Sequence, residues 1–147
     1  MRCYDVTNVR SSSTFAGWDL RYATQDHRLE PWRGERLELP VHGIWARPET
    51  RDPWFCEFLL QEADGQQWVY RRDQRVRRPL EEIAVTTSSG LSMLAPEIVL
   101  LYKANDTGEK EEGDFAVALP LLSPEARGWL AGALAIAHPG HGWIARL

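Results

Sequence analysis

Residues 88–104 read SSGLSMLAPEIVLLYKA, and they mark a change in the character of the chain from strand to helix. Pro96 suits the first turn of a helix, because its missing N–H would be unpaired there in any case. Ile98 and Leu101 then lie on one face of a helix that we expect to run to about the end of this stretch. Since strands precede helices and do not alternate with them, the sequence predicts an α+β fold.

Two further helices are predicted downstream. After the polar break at residues 105–108, a helix is expected from about Lys110 to Leu119. The third helix is expected to begin at Ser123-Pro124-Glu125, which supplies a capping serine, a proline at the first position and an acid near the positive end of the helix dipole. Its predicted buried stripe consists of Trp129, Leu130, Ala133, Leu134 and Ala137.

Upstream of residue 88 the patterns favour a mixed or antiparallel β-sheet. Alternation of apolar and polar residues predicts a strand over residues 17–23, and a second strand is expected over 41–46. Residues 25–40 between them indicate a loop with a short strand at 37–39. Residues 54–60 (WFCEFLL) are apolar on both faces apart from Glu57, which predicts a central strand covered on both sides.

Turn signals divide this β-rich part. Asp64-Gly65 predicts a tight hairpin turn, since the pair accepts positive backbone angles. Residues 71–78 hold five arginines and are expected to leave the sheet through a turn. We predict one domain with a β-rich part, 1–93, and a helical part, 94–147.

Composition limits the function classes. The chain has 147 residues, 44% hydrophobic and 26% charged, and a formal charge of −4. That charge argues against nucleic-acid binding through overall electrostatics. The longest apolar runs are shorter than the roughly 20 residues of a membrane span, and no secretory signal precedes them, so a cytoplasmic protein is expected. We expect Cys56 to be a buried thiol and not the disulfide partner of Cys3.

Glu57 and the arginines are the first candidate functional residues. A buried carboxylate among apolar neighbours needs a cation, a metal or a raised pKa, which fits a catalytic base. The alternative, which the residues alone favour, is a Glu57 that faces solvent or pairs with an arginine. Arg71 and Arg72 could bind phosphate through paired hydrogen bonds, although a solvated strand end is the commoner role of such a cluster.

Two other pairs of residues carry weaker signals. Lys103 and Lys110, the two lysines of the chain, flank a predicted loop and could hold a phosphate tail. His138 and His141 resemble part of a metal site but lack further ligands at suitable spacing, so a turn after a helix is favoured and no metal site is predicted.

The seven tryptophans indicate an aromatic core or an aromatic surface reserved for a partner.

Taken together, several stretches resemble the aminoglycoside and lincosamide adenylyltransferase-like proteins of the nucleotidyltransferase superfamily. The resemblance covers roughly Phe15 to Leu147 and is carried by residues 16–20, 54–60, 68–73, 94–104, 110–115, 119–122 and 138–143. Such enzymes transfer a nucleotidyl group from a nucleoside triphosphate to a hydroxyl group with the help of magnesium. The implied cofactors are therefore ATP and Mg²⁺.

The resemblance also implies roles for individual residues. Glu57 matches the third acid of the family's active site, where it would act as general base or metal partner. Lys110 would contact the nucleotide and Asp114 would support the site, so Glu57 and Asp114 are the catalytic candidates.

The family carries a Gly-Gly or Gly-Ser helix start and an Asp-x-Asp strand ahead of the matching region. Residues 1–15 contain a single acid, Asp5, and no glycine pair. We therefore expect a truncated or degenerate relative without independent catalysis. It would hold a nucleotide or a small polar hydroxyl compound near Glu57, Arg71, Arg72, Lys103 and Lys110.

Two other hypotheses remain open. The chain could be a non-enzymatic structural module that forms homo-oligomers through an apolar sheet face and an open edge. It could also be a piece of an active transferase whose start lies upstream of Met1.

Overall fold

The computed structural model describes the backbone of residues 2–3 and, in full, residues 15–26, 28–90 and 92–147. The chain divides into two compact units, Met1–Gly65 and Gln66–Leu147. Asp5, the single acid of residues 1–15, and the side chain of Cys3 lie outside this description. None of the helices in the described ranges has the length and hydropathy needed to cross a membrane.

The first unit is built from β-strands. They are β1 (Arg2–Cys3), β2 (Asp19–Ala23), β3 (Leu29–Pro31), β4 (Gly43–Arg47), β5 (Cys56–Leu59) and β6 (Glu62–Asp64). One antiparallel sheet has the strand order β3-β2-β4-β5, and β1 pairs antiparallel with β6. The predicted strands at 17–23 and 41–46 are thus confirmed as β2 and β4.

The core of this unit lies against one sheet face. It consists of Leu20, Trp32, Leu37, Ile44, Ala46 and Leu60. The short strand predicted at 37–39 is wrong: Leu37 buries its side chain without strand pairing, and the short strand of this segment is β3 instead.

The strand predicted to be central is found at the edge. Among the described strands β5 is the last member of its sheet, and only Cys56 and Phe58 turn toward the core. Phe55 and Leu59 are 70% and 59% exposed, and Glu57 on the same side of the pleat is exposed too. The two-sided burial predicted for residues 54–60 is therefore wrong, because a short apolar run does not distinguish an edge strand from a central one.

The second unit places strands before helices. Its elements are β7 (Gln67–Val69), β8 (Arg77–Pro79), β9 (Ala84–Thr86), β10 (Ser92–Leu94), α1 (Pro96–Lys103), α2 (Glu109–Ala118) and α3 (Pro124–Ala137). β7 pairs antiparallel with β8, and β9 with β10. The predicted α+β class is confirmed: antiparallel sheets are followed by three helices.

Local signals explain several of these boundaries. Gly65 has φ +59°, which confirms the predicted turn, although β6 and not the 54–60 strand precedes it. The Ser123 hydroxyl accepts a hydrogen bond from the backbone N–H of Ala126 at 3.2 Å and caps α3 as expected. The β9–β10 hairpin was missed, although Gly90, with φ +82°, marks its turn.

An aromatic core holds the second unit together. The Phe115 ring stacks on Trp143 with centroids 4.3 Å apart, and the Trp143 Nε1–H donates to a Glu112 carboxylate oxygen at 2.7 Å. Arg146 donates to the other oxygen of Glu112 at 2.7 Å. Hydrogen bonds from Arg146 and Trp143 lower the pKa of Glu112. These contacts fasten the last residues of the chain to α2.

The tryptophans serve the core. Trp32, Trp68 and Trp143 are buried, and the other four are half-buried. Of the two interpretations of the tryptophan content, the structure supports the aromatic core, since none of the seven rings is fully exposed.

A largely buried ion pair links β8 to α1. Arg78 Nη1 lies 2.6 Å from a Glu97 carboxylate oxygen, and the Glu97 side chain is only 7% exposed. Arg78 also contacts Glu82 at 3.3 Å, where the carboxylate is 52% exposed. The Arg78 guanidinium lies 4.9 Å from the Trp129 ring centroid, which adds a cation–π contact with α3.

We expect Glu97→Ala to lower the free energy of unfolding by about 3 kcal/mol, because it leaves a largely buried guanidinium without its closest counter-charge. Glu82→Ala is the matched control, since it removes an exposed partner of the same arginine and is expected to cost less than about 1 kcal/mol. Urea unfolding of both variants measures the difference. Equal losses would show that burial does not distinguish the two pairs.

Candidate functional site

Cationic side chains gather at the carboxyl end of α1 in the second unit. The turn between β7 and β8 carries Arg71 and Arg72, and both guanidinium carbons lie 5.5 Å from the centroid of the Tyr102 ring. Lys103, the next residue, is the last of α1. The structure thus brings two predicted ligand-binding residues, Arg71 and Arg72, to one ring, and a third, Lys103, adjoins Tyr102 in the sequence. We call these residues the Tyr102 patch (Arg71, Arg72, Tyr102 and Lys103).

Arg72 is anchored through one of its nitrogens. Nη1 donates to the Tyr102 carbonyl at 2.8 Å and to the Tyr70 hydroxyl at 3.4 Å. A guanidinium has five N–H groups, and Nη1 carries two of them. Within the described ranges no acceptor binds the three N–H groups on Nε and Nη2, and the Arg72 side chain is exposed. These donors form the edge that binds an oxyanion with two parallel hydrogen bonds.

Arg71 makes a cation–π contact with Tyr102, and no carboxylate among the residues that the structure describes pairs with its guanidinium. Asp73, the nearest acid in sequence, is already hydrogen-bonded to Arg75. Its carboxylate accepts from Arg75 Nη2 at 2.6 Å, from Arg75 Nε at 2.9 Å and from the Arg75 backbone N–H at 3.0 Å. The charges of Arg71 and Arg72 are therefore not neutralised by Asp73.

Lys103 lies between two acids of α2. Its ammonium is 2.7 Å from an Asp114 carboxylate oxygen and 4.0 Å from one of Glu111. The hydrogen bond with Asp114 raises the pKa of Lys103, and the same bond lowers the pKa of Asp114. Asp114 is thus a charged partner of Lys103 in this structure, and a low pKa does not suit a general base.

Lys110 is exposed in the first turn of α2, and its charge contributes to lowering the pKa of Asp114. The joint phosphate-binding role of Lys103 and Lys110 stays a prediction; in this structure Lys103 pairs with Asp114. Sequence reasoning missed this contact because it joins two helices.

Glu57 belongs to the first unit, whereas the other five candidate residues belong to the second. Its exposed side chain lies over the backbone of Gly43 on β4, where an added Cβ would collide with the carboxylate. Of the two interpretations of Glu57, its exposure supports the one that the residues alone favour, a side chain that faces solvent, because β5 is an edge strand with one exposed face. Its catalytic role stays a prediction.

Two neighbours of the patch are Tyr70, which sequence reasoning did not select, and His138, which it assigned to a turn. Tyr70 is fully buried, and its hydroxyl lies 3.4 Å from His138 Nε2. Burial lowers the pKa of His138, and the nearby charges of His141 and Arg72 lower it further. The available signal was the adjacency of Tyr70 to the arginine cluster in the sequence.

His138 and His141 form the turn that the sequence predicts after α3. Both nitrogens of His141 have protein partners: Nδ1 accepts from the Trp143 backbone N–H at 3.1 Å, and Nε2 lies 3.0 Å from the Thr107 hydroxyl. These contacts explain the histidines by packing and hydrogen bonding.

The candidate residues of this chain do not fit a magnesium site. Mg²⁺ requires octahedral coordination by oxygen, usually with one or two carboxylates and substrate phosphates. Within the described ranges no three His, Cys, Asp or Glu side chains are grouped closely enough to hold a metal ion. Asp114 is hydrogen-bonded to Lys103, and Glu57 lies in the other unit.

Hydrogen bonds from the side chain and the backbone N–H of Arg75 lower the pKa of Asp73 from 3.8 to about 2. We expect NMR titration to find this value, and Arg75→Ala to raise it toward 3.8. Because the folded pKa is depressed, the stability that the pair contributes is full above about pH 4 and disappears as the pH falls through about 2. Arg51→Ala, in the other unit, is the control and should leave Asp73 unchanged. An Asp73 that titrates near 3.8 in the unaltered protein contradicts this account.

Comparison with known proteins gives no relative: no family model, no curated protein and no solved structure matches this chain. The resemblance to nucleotidyltransferases therefore stays a prediction.

Proposed function

We propose that the protein binds a phosphate-bearing small molecule, most directly a nucleoside triphosphate, at the Tyr102 patch, and that it has no complete catalytic centre of its own. The observation that carries this proposal is the pair of arginines, Arg71 and Arg72, held 5.5 Å from one tyrosine ring with hydrogen-bond donors that no described carboxylate occupies. A cytoplasmic location, as the sequence predicts, would expose the patch to nucleotides.

The chemistry of the patch suits a polyphosphate better than a single carboxylate. Arginine binds phosphate oxygens through two parallel hydrogen bonds, and lysine adds a compact charge. Lys103 uses one short contact, to Asp114, and its raised pKa keeps the ammonium charged at neutral pH. The two arginines can therefore contact more than one phosphate oxygen, and Lys103, the residue after Tyr102, adds a charge that it shares with Asp114.

The same cations have a structural role that the experiment must separate from binding. Arg72 donates to a carbonyl at the carboxyl end of α1, where the helix dipole favours positive charge. Arg71 makes no hydrogen bond with an α1 carbonyl, so replacing Arg71 tests binding with a smaller effect on the helix than replacing Arg72.

The proposal excludes independent catalysis on the basis of the side chains present. Asp114 is hydrogen-bonded to Lys103, and the described acids do not assemble into a metal-binding group. ATP would therefore be bound and not consumed by this chain alone.

Calorimetric titration with ATP, with and without magnesium, tests the proposal. We expect saturable binding by the unaltered protein, and an affinity about tenfold to a hundredfold lower for Arg71→Ala, since hydrogen bonds to charged groups contribute about 1.5–3 kcal/mol. Arg51→Ala is the matched control, because this arginine is 90% exposed and belongs to the first unit. Absence of binding at millimolar ATP, or equal losses in both variants, would contradict the proposal.

A second candidate function, self-association as a structural module, is favoured by one observation. Phe55, which immediately precedes the edge strand β5 of the first unit, is 70% exposed, and Leu59, the last residue of that strand, is 59% exposed. Large apolar side chains at a sheet edge are commonly covered by a second copy.

If β5 is the contact, Phe55→Glu should shift the protein from dimer to monomer in sedimentation velocity at micromolar concentration, because it places a charge in an apolar interface. Val117→Glu is the matched control, since Val117 is 71% exposed but lies on a helix of the second unit. An unaltered protein that sediments as a strict monomer, or a control that dissociates as well, rules out this contact.

A further inference from the structure

The buried hydroxyl of Tyr70 joins three groups in the second unit. It lies 3.3 Å from the Leu101 carbonyl, 3.4 Å from His138 Nε2 and 3.4 Å from Arg72 Nη1. Tyr70 has no exposed surface, so it does not contact a ligand directly. Its polar atom nevertheless reaches the exposed Arg72 of the Tyr102 patch.

The proton count fixes the direction of the hydrogen bond to Arg72. A guanidinium has donors only, so the tyrosine oxygen accepts from Nη1. The single hydroxyl proton is left for the Leu101 carbonyl or for His138 Nε2. If the hydroxyl donates to the Leu101 carbonyl, His138 Nε2 carries a proton and donates it to the Tyr70 oxygen. If the hydroxyl donates to His138 Nε2, that nitrogen is unprotonated and the imidazole is in its other tautomer. In both arrangements the hydroxyl oxygen remains an acceptor for Arg72.

Arg72 is thereby held by two acceptors on one nitrogen. The Tyr102 carbonyl and the Tyr70 hydroxyl together occupy both N–H groups of Nη1. The remaining edge, formed by Nε and Nη2, has the spacing that suits two oxygens of one phosphate. Fixing a guanidinium before binding lowers the conformational entropy that the ligand must otherwise remove.

We propose that Tyr70 and His138 are positioning residues that hold Arg72 in the orientation in which its Nε and Nη2 groups bind one phosphate of the ligand side-on. This inference rests on the proposed function. It assigns a role in binding to two residues that do not touch the ligand, and it names the phosphate group as the part of the ligand that Arg72 contacts.

Tyr70→Phe is the first test, because it removes the hydroxyl and keeps the ring that packs against Trp68 and Tyr102. We expect the affinity for ATP to fall about twofold to tenfold, less than the loss of a direct hydrogen bond to a charged group, because Tyr70 acts only through Arg72. The informative measurement is a double-mutant cycle with Arg72→Ala. If Tyr70 acts through Arg72, Tyr70→Phe has no additional effect on affinity in the Arg72→Ala background.

His138 supplies a second test that does not depend on the folding of Tyr70→Phe. His138→Leu removes the hydrogen bond to the Tyr70 hydroxyl, and His138→Gln restores a polar nitrogen that can reach it. We expect the leucine variant to bind ATP more weakly and the glutamine variant to recover most of the affinity. Urea unfolding of both variants shows whether a change in affinity merely follows a change in stability.

The outcomes separate the two proposals. If the unaltered protein does not bind ATP, the proposed function fails and this inference fails with it. If the protein binds ATP and Arg71→Ala weakens binding, the proposed function stands. This inference is then overturned by a Tyr70→Phe effect that persists in the Arg72→Ala background, or by equal affinities of the His138→Leu and His138→Gln variants.

Discussion

The backbone carbonyls at the carboxyl end of α1 impose the constraint on which the patch depends. A helix leaves its last four carbonyls without intrahelical partners, and each needs another donor. The Leu100 carbonyl still accepts from the Ala104 N–H as the last bond of the helix itself. The next three carbonyls accept from the Tyr70 hydroxyl at Leu101, the Arg72 guanidinium at Tyr102 and the Asp106 backbone N–H at Lys103. Two of these three donors come from the segment that follows β7. Completing the helix end therefore places this segment beside α1.

Charge pairing in the second unit leaves a local excess of positive charge in a chain of net charge −4. Asp73 pairs with Arg75, Asp114 with Lys103 and Glu112 with Arg146. Each pair satisfies its acid locally. Arg71 and Arg72 remain with donors to spare, which is why the overall charge of the chain gave no indication of the patch.

The helices could be predicted because their signals are local. Pro96 and the Ser123-Pro124 pair mark helix starts through backbone geometry and capping, so α1 and α3 were found almost to the residue. Edge position is not local: whether β5 has a neighbour on both sides depends on how the other strands arrange themselves. The two-sided burial predicted for residues 54–60 failed at this step, and a half-exposed strand leaves Glu57 facing solvent.

The candidate site was predicted in part for the same reason. Arg71, Arg72 and Lys103 were selected by residue type, but the contact of the two arginines with Tyr102 requires a turn and a helix end to meet. Likewise, the Lys103–Asp114 pair joins residues on different helices. Side-chain contacts between separate elements leave no periodic trace in a single sequence.

The stacking of Trp143 on Phe115 has a consequence for biosynthesis. The core of the second unit includes Trp143, so it cannot close until the ribosome has made that residue. All core residues of the first unit, by contrast, are present once Leu60 has been synthesised. Since domains generally fold in order of emergence, the first unit can fold while the second is still being translated. Until Trp143 has been synthesised, the helices of the second unit expose apolar surface that chaperones can bind.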